Sequence, residues 1–492
     1  RYINKRISTE FIHTFNYGFM LTGMIIVFVL GYAAIAFEHP LKVNKAASAL
    51  ITAVILWVMY TMAADTFVPI TSGSEFTHFI ETHPSLLSKT LLQQSVAFET
   101  EHQIISSIGD IAEILLFLVG AMTIVELVDA HGGFTFITDR ITTRNKKKLI
   151  WLIAGLTFFM SAVLDNLTTT IVMIMLARKI IGNYKERWIV ASLIVIAANS
   201  GGAWSPIGDI TTIMLWVRGN VSAESIIPNL ILPCIVSTVV PVFIVTRFMK
   251  GDVEAPEETD EGEHERIPLQ RKERILIFAL GVGCLLFVPI FKSVTHLPPF
   301  MGMILGMAVL WFATEIMYDR KKDMHEEDKL RLTKILKRID GPTLLFFLGI
   351  LMAVDALRYS GLLDSVAGFL DTSIGNIYII NLVIGLLSSI VDNVPLVAGA
   401  IGMYPVADSV MLASAANPEY LQNFAVNGVF WQFLAYCAGV GGSVLIIGSA
   451  AGVVAMGLER INFGWYMKNI SLLALVGYLA GAAVYVLQNY LF

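Results

Sequence analysis

The sequence SAVLDN (Ser161–Asn166) recurs later in the chain as SSIVDN (Ser388–Asn393), and two other blocks repeat in the same order around this pair. The upstream block, LLFLVGAMTIVELVDAHGG (Leu115–Gly133), aligns without gaps on LLFFLGILMAVDALRYSGL (Leu344–Leu362). The downstream block is a glycine cluster, in which Gly201, Gly202 and Gly208 match Gly441, Gly442 and Gly448. Three blocks that recur in one order at nearly constant spacing predict an internal structural repeat.

Composition places this repeat in a membrane. The 492 residues are 56% hydrophobic and 15% charged, and the mean hydropathy is +0.70, whereas soluble domains have about a quarter charged residues. Segments that approach the ~20 apolar residues of a bilayer span are Met20–Phe37, Leu50–Ala64, Ile226–Val245, Ile275–Ile290, Gly302–Met317 and Ile470–Leu487. We therefore predict an all-α polytopic membrane protein with about ten or eleven spans, some of them broken.

Lys and Arg indicate which loops face the cytoplasm, because basic loops are retained there. Basic residues precede and follow Leu149–Ile181, so both ends of this apolar block should face the cytoplasm. The segments that flank Asn381–Gly402 hold a single basic residue, Arg358, so both ends of that block should face outward. The two copies are then inverted, as in secondary transporters, whose substrate sites lie near the bilayer midplane on discontinuous helices.

The repeats predict a domain organisation with re-entrant helical hairpins and two broken transmembrane helices. The apolar run around Asp165 is too long for one span and too short for two full spans with a loop, which fits a hairpin. The predicted parts are N-terminal helices with an outer loop (1–109), a first inverted repeat (110–250, hairpin 149–181, broken helix 188–217), a cytoplasmic linker (251–274) and a second inverted repeat (275–492, hairpin 377–403, broken helix 424–458).

The candidate binding residues lie where the helices cannot continue. The hairpins should turn at Asp165-Asn166 and Asp392-Asn393, and glycines should unwind the two broken helices. Unwound backbone at membrane depth is tolerated where its carbonyls meet protein, water or ions, and hard cations such as sodium prefer oxygen ligands. The predicted cation- and proton-binding residues are Asp165, Asn166, Thr168, Asn199, Ser205, Asp209, Thr211, Asp392, Asn393 and Ser443, with sodium held by Asp165, Asn166, Asp209, Asp392 and Asn393.

Each of these residues also has a structural interpretation. Asp-Asn pairs favour turns and helix caps, but their occurrence at matched positions of a repeat favours binding. Asp209 suits the cap of a helix that begins at Ile210; its counterpart in the second repeat is Ser449, and this asymmetry indicates a specialised, proton-carrying group. Glu126 and Asp355 also match across the repeats, but near helix ends they could snorkel or pair with loop charges, so they form a second tier.

Other protein classes are disfavoured. The three cysteines, Cys234, Cys284 and Cys437, lie in apolar stretches without metal or redox spacing and are predicted core residues. The net charge is −5 and the basic residues lie in short loops, which argues against nucleic-acid binding. No nucleophile, phosphate loop or metal-ligand cluster appears in a polar context, so we expect neither an enzyme nor a cofactor.

The break sequences resemble those of NhaD-type sodium/proton antiporters, within the ion transporter superfamily. The resemblance rests on SAVLDNLTTT (Ser161–Thr170), NSGGAWSPIGDITTIMLW (Asn199–Trp216) and SSIVDNVPL (Ser388–Leu396), and it covers most of the chain from Leu115 onward. It implies a bacterial inner-membrane antiporter that exchanges cytoplasmic sodium or lithium for external protons. It also implies a homodimer among membrane lipids, with hairpins that move by an elevator-like displacement.

Two alternatives come from the same superfamily, which also holds arsenite pumps and dicarboxylate transporters. An arsenite or other oxyanion extruder would share the breaks, although the chain has no paired cysteines for a thiophilic substrate. Hairpin tips of the dicarboxylate branch resemble Ser-Asn-Thr. Here Asp165 and Asp392 replace the first serine, and their charge disfavours an anionic substrate, as in a dicarboxylate symporter, at low dielectric.

The first residues conflict with the charge-derived topology. That topology places Tyr2–Asn16 outside, although Arg1, Lys5 and Arg6 would favour the cytoplasm, and the sequence begins with Arg. We expect that an upstream signal peptide or short first helix precedes residue 1.

Overall fold

The computed structural model describes residues 2–36, 38–134, 141, 143–254, 269–321, 324–325, 329–390, 392–415 and 417–491. Within these ranges the chain forms helices and connecting segments, without a strand and with two isolated bridges between single residues. The predicted all-α class is therefore confirmed for the described residues. Arg1 and residues 255–268 of the predicted linker lie outside them.

The helices follow one another with short connections. The first are α1 (Tyr2–Ala36), α2 (Glu38–Leu41), α3 (Lys45–Met62), α4 (Ala64–Thr71), α5 (Gly73–Thr82), α6 (Leu91–Phe98) and α7 (Ile104–Ala130), with a π-helical turn, Glu99–Gln103, between α6 and α7. Next come α8 (Lys146–Leu164), α9 (Asn166–Ile180), α10 (Tyr184–Ala203), α11 (Ile210–Val217) and α12 (Ala223–Phe248).

The second half of the chain continues in the same way. Its helices are α13 (Arg271–Thr295), α14 (Pro299–Asp319), α15 (Leu332–Ile335), α16 (Gly341–Tyr359), α17 (Leu362–Ser373), α18 (Ile377–Leu387), α19 (Asn393–Met403), α20 (Ser409–Ser414), α21 (Pro418–Gln422), α22 (Val429–Gly441), α23 (Ala450–Glu459), α24 (Phe463–Asn469) and α25 (Ser471–Leu491).

Side-chain caps fix where the helices at the breaks begin. The Asp165 carboxylate accepts a hydrogen bond from the Thr168 amide at 2.8 Å at the start of α9. Asp209 accepts from the amide of Thr211 at 2.8 Å at the start of α11, and Ser449 caps α23. Each cap satisfies an amide that the first helical turn leaves without an intrahelical partner. These sequences therefore encode new helix starts within apolar runs.

The chain divides into two compact units. The first consists of Arg1–Leu115, Asp340–Gly375 and Ala398–Pro405. In it, α3 packs against both α1 and α16. Gly349 of α16 lies so close to α3 that a Cβ atom there would be 2.7 Å from the Leu50 backbone nitrogen. A larger residue at 349 would therefore push the two helices apart.

The second unit consists of Leu116–Ile339, Asn376–Val397 and Val406–Phe492. Within it α8 packs on α10, α18 packs on α22, and α12 packs on α25. Small residues bring α12 and α25 together, since a Cβ atom at Gly477 would lie 2.5 Å from the Ser237 carbonyl oxygen. Both pairs of predicted breaks lie in this unit.

Nine helices in the described part of the chain are long and apolar enough to cross a membrane. They overlap all six apolar segments that were recognised in the sequence, and α18, α19, α22 and α23 are shorter apolar helices. The predicted polytopic membrane class is confirmed. The short helices are those assigned to the second hairpin and the second broken helix, as expected for segments that are interrupted within an apolar run.

All four predicted interruptions are present. One residue, Asp165, separates α8 from α9, and residues 388–392 separate α18 from α19. Residues 204–209 separate α10 from α11, and residues 442–449 separate α22 from α23. The division into inverted repeats and the re-entrant course of the hairpins stay predictions.

Candidate functional site

The two broken helices contact their hairpins through equivalent glycines. A Cβ atom at Gly201 of α10 would lie 2.2 Å from the Phe158 carbonyl oxygen of α8, and one at Gly441 of α22 would lie 2.1 Å from the Gly385 carbonyl oxygen of α18. Contacts this short exclude any side chain, so both positions need glycine. The four positions are paired by the sequence repeat, and the packing therefore repeats with it.

Serines reinforce the same contact in both copies. The Ser161 hydroxyl donates to the Ala198 carbonyl at 2.5 Å, and the matching Ser388 hydroxyl donates to the Ala438 carbonyl at 2.9 Å. Both serines are buried. Each bond ties the last turn of a hairpin arm to the helix that breaks a few residues later, so hairpin tip and helix break are held side by side.

A buried hydrogen-bonded cluster forms where these breaks meet. The Asn166 side-chain amide donates to the side-chain oxygen of Asn199 at 3.0 Å and to Asp209 Oδ2 at 2.8 Å. The Asn199 amide donates in turn to the hydroxyls of Ser443 and Ser449, each at 2.9 Å. We call these five residues the Asn166 cluster. It joins one hairpin tip to the breaks of both broken helices, and each of its members is at most 6% exposed.

Asp209 is the carboxylate within this cluster. Its Oδ1 accepts from the Thr211 amide at 2.8 Å and from the Thr211 hydroxyl at 2.6 Å, while Oδ2 accepts from Asn166. The residue is 1% exposed. A glycine, Gly439, stands opposite, and a Cβ atom there would lie 3.8 Å from Asp209 Oδ2. Asp209 therefore both caps α11, as its structural interpretation predicted, and lines the cluster.

The two hairpin aspartates flank the cluster. Asp165 has a φ angle of +85°, a left-handed conformation that Asp and Asn tolerate better than most residues. Its carboxylate accepts from the Thr168 hydroxyl at 3.0 Å as well as from the amide. Asp165 and Asp392 are both half-buried, and each carboxylate repels that of Asp209 electrostatically. The three carboxylates therefore share one electrostatic environment.

The donor set has a definite chemical character. Among the described residues no group of three His, Cys, Asp or Glu side chains converges as a metal site. Besides Asp209, the oxygens at hand are the Asn199 amide and the hydroxyls of Ser443 and Ser449. Neutral oxygens with few carboxylates suit a weakly bound monovalent cation better than a transition metal.

Other predicted ligands lie apart from the hydrogen bonds of the cluster. The Ser205 hydroxyl donates to the Ala162 carbonyl at 2.5 Å and so fixes the loop before Asp209. Asn393 is buried at the start of α19. Glu126, of the second tier, pairs with Arg338 at 3.5 Å. Asp355 is buried in α16, which belongs to the first unit.

Ser449 was not among the predicted ligands. It accepts from Asn199 and caps α23 through the Gly452 amide at 3.2 Å. The sequence held a signal for it, because Ser449 occupies the position that corresponds to Asp209 in the repeat alignment. The same position thus supplies a polar cap in both halves, with a charge in only one.

Comparisons with known proteins are consistent with this site. A family model described as citrate transporter (CitMHS) matches residues 32–423. Sodium/proton antiporter 1 of Arabidopsis thaliana is 41% identical over 463 residues, which cover 94% of this chain and 72% of that protein. Sodium/proton antiporter 2 of the same plant is 41% identical over 464 residues, 94% of this chain and 98% of that protein. The Na(+)/H(+) antiporter NhaD of Vibrio parahaemolyticus is 33% identical over 402 residues, 76% of this chain and 88% of that protein.

The apolar helices and paired breaks define a multi-pass membrane transporter of the ion transporter superfamily. Within that superfamily the chain belongs to the NhaD-type sodium/proton antiporters. The family resemblance of the break sequences is confirmed, and so is the prediction of a transporter rather than an enzyme.

Proposed function

We propose that the protein exchanges sodium or lithium ions for protons and that these ions bind beside Asp209 in the Asn166 cluster. The observation that supports this most directly is the convergence of Asn199 Oδ1 and Asp209 Oδ2 on one atom, the Asn166 side-chain nitrogen. Two buried oxygens aimed at one point favour positive charge there, whether an N–H group, a proton or a sodium ion supplies it. The relatives named as sodium/proton antiporters support the same ions.

Exchange requires that proton and sodium compete for the same oxygens and that the occupied site moves. A proton on Asp209 Oδ2 would turn this acceptor into a donor, so the Asn166 amide group would have to turn away from it. Because Asn166 begins α9 at the hairpin tip, the ionic state of Asp209 is linked to the position of that tip. This link gives the hairpin a reason to move with its ion.

Asp165 and Asp392 are proposed to serve the same ion from the half-buried side. Their negative charges lower the energy of a cation near Asp209, and water reaches them more easily than it reaches the cluster. Asn393, Thr168 and Ser205 remain proposed ligands or supports of these tips. The same charges oppose an oxyanion or a dicarboxylate.

The central test is removal of each charge without a change of size. Asp165→Asn keeps a residue that tolerates the left-handed backbone and can still cap α9, so it should cost about 1 kcal/mol of stability or less. We expect Asp165→Asn, Asp209→Asn and Asp392→Asn to fold and to lose sodium-dependent proton movement. The assay is fluorescence dequenching in everted vesicles energised by respiration, from a host that lacks its own antiporters.

The control is Glu126→Gln, which removes a carboxylate that pairs with Arg338 outside the cluster. It should leave the apparent sodium affinity unchanged. Sodium, lithium, potassium and arsenite are added in parallel, so that an oxyanion extruder would reveal itself. Sodium exchange by Asp209→Asn at wild-type apparent affinity would overturn the proposed site, and a response to arsenite alone would overturn the proposed function.

The pH dependence follows from competition at shared oxygens. Protons become abundant as the pH falls, so the apparent sodium affinity should weaken at low pH and exchange should rise with increasing pH. Asp209→Asn, if any exchange remains, should flatten this profile because the shared carboxylate is gone. A wild-type sodium affinity that is constant across the pH range would contradict competition.

Two further features are proposed rather than established. The bacterial inner membrane stays our prediction for the location, and membrane fractionation of the source cells tests it; the Arabidopsis relatives make a plant-cell membrane the outcome that would overturn it. The homodimer stays a prediction as well, and cross-linking of the reconstituted protein at low protein-to-lipid ratio tests it.

A further inference from the structure

A second buried carboxyl group lies in the first unit and is not part of the site described above. Glu99 belongs to the π-helical turn Glu99–Gln103, at which the apolar helix of residues 91–130 changes its hydrogen-bond pattern. The Ile104 amide donates to the Glu99 carbonyl, which closes the wide turn. π-turns are rare and occur frequently at functional sites. An ionisable residue inside an apolar helix is also unusual, because its charge is costly in a membrane.

The surroundings of Glu99 provide little to stabilise a negative charge. The side chain is fully buried. Its Oε1 is hydrogen-bonded to the Thr61 hydroxyl of α3, and its Oε2 has no hydrogen-bond partner among the described residues. No Lys, Arg or His of the described chain pairs with it. A buried carboxylate with one hydrogen bond and no cation would carry a large desolvation cost.

The neighbouring groups that face Glu99 are neutral. Tyr60 of α3 lies within electrostatic range, but its hydroxyl donates to the Gln103 side-chain oxygen at 3.0 Å. The Gln103 amide donates to Ser72 at 3.3 Å. These donors are therefore directed away from Glu99, and Oε2 receives no hydrogen from them.

Counting hydrogens on Thr61 indicates the protonation state. The Thr61 hydroxyl has one hydrogen, and its oxygen lies within hydrogen-bond distance of two partners, Glu99 Oε1 and the Trp57 carbonyl at 2.8 Å. A backbone carbonyl can only accept, so Thr61 must supply the hydrogen for that bond. The bond to Glu99 then requires that Glu99 itself donates, which it can do only as a carboxylic acid.

We propose that Glu99 is a proton-binding site of the first unit, with the proton on Oε1 and donated to Thr61. This proton makes the buried side chain neutral and completes both hydrogen bonds of the threonine. The site is separate in sequence and in unit from the Asn166 cluster, and its occupancy does not depend on the proposed sodium exchange.

Infrared spectroscopy of the full chain in lipid at pH 7 tests the proposal. A protonated carboxyl group has a carbonyl stretching band that is distinct from the bands of a carboxylate and that shifts in D2O. We expect the wild-type spectrum to contain such a band and Glu99→Gln to lack it. The control is Glu75→Gln on α5, which removes an exposed carboxylate that is ionised at this pH and should leave the band intact.

Two variants at Thr61 test the hydrogen bond while Glu99 is retained. Thr61→Val removes the acceptor and should shift the carboxylic-acid band, whereas Thr61→Ser keeps a hydroxyl and should leave the band in place. These variants keep the test valid even if Glu99→Gln does not fold. An acid band that is the same in wild type and Glu99→Gln, or identical spectra for Thr61→Val and Thr61→Ser, would overturn the proposal.

Discussion

Alanine at the two equivalent glycines should destabilise the second unit strongly. A Cβ atom at Gly201 or Gly441 would lie 2.2 or 2.1 Å from a backbone carbonyl oxygen, whereas carbon atoms in contact prefer about 3.5–4.0 Å. The carbonyl belongs to a helix and cannot rotate away, so the two helices must separate by more than about 1 Å. Overpacking of this kind typically costs about 1–3 kcal/mol.

The matched controls come from glycines of the same hairpins. A Cβ atom at Gly155 of α8 or Gly399 of α19 would meet nothing within 4 Å. Alanine should be neutral there, or should stabilise by about 0.4–1 kcal/mol, because it restricts the unfolded chain. All four variants therefore have the same chemical change and differ only in the space around the new methyl group.

Thermal unfolding of the detergent-purified protein, followed by tryptophan fluorescence, measures these differences. We expect Gly201→Ala and Gly441→Ala to unfold at lower temperature than wild type, and both to lose transport, since the hairpin tips would shift from the breaks. Gly155→Ala and Gly399→Ala should unfold at or above the wild-type temperature. If Gly201→Ala and Gly441→Ala unfold together with the two controls, the close helix contacts are not real constraints.

Three other predictions follow from the same unit. Asn199→Ala should abolish exchange and cost about 1–3 kcal/mol, because it leaves buried polar partners unpaired, whereas Ser192→Ala, whose hydroxyl bonds only within its own helix, should be nearly silent in both assays. Glu459 accepts from Arg178 Nε at 2.6 Å and Arg187 Nε at 3.0 Å; Glu459→Ala should lower the unfolding temperature by more than Glu126→Gln, because the Glu459 side chain is only 2% exposed. Single cysteines at Lys147 and Asn376 should label with impermeant reagents from opposite sides of the membrane, and labelling from the same side would refute the inverted orientation.

Much of the fold could be predicted because its signals are local. Apolar segments of span length, glycine clusters and Asp-Asn pairs act on the backbone where they occur, so the four interruptions and the helix caps could be read from the sequence. Asp209 illustrates the limit of such signals. Its two interpretations, as a cap and as a ligand, cannot be separated from sequence, since one carboxylate oxygen serves the helix and the other faces the cluster.

The contacts that assemble the cluster could not be predicted in the same way. Asn199 meets Ser443 and Ser449, which are 244 and 250 residues away in the chain. No local pattern encodes such a pairing, and only the symmetry between the repeats suggested that the breaks would lie together. Ser205 shows the opposite outcome: its residue type fitted a ligand, but its hydroxyl is used by the Ala162 carbonyl.

The four breaks have a common polarity with an electrostatic consequence. Each break is followed by a new helix start, at Asn166, Ile210, Asn393 and Ala450, directly after or within the candidate site. A helix start carries about half a positive charge, so four starts offset about two negative charges. If Asp165, Asp209 and Asp392 are all ionised, about one negative charge remains uncompensated, which one sodium ion or one proton would neutralise. The protein would then have a reason to bind one monovalent ion at a time and to reject a divalent one.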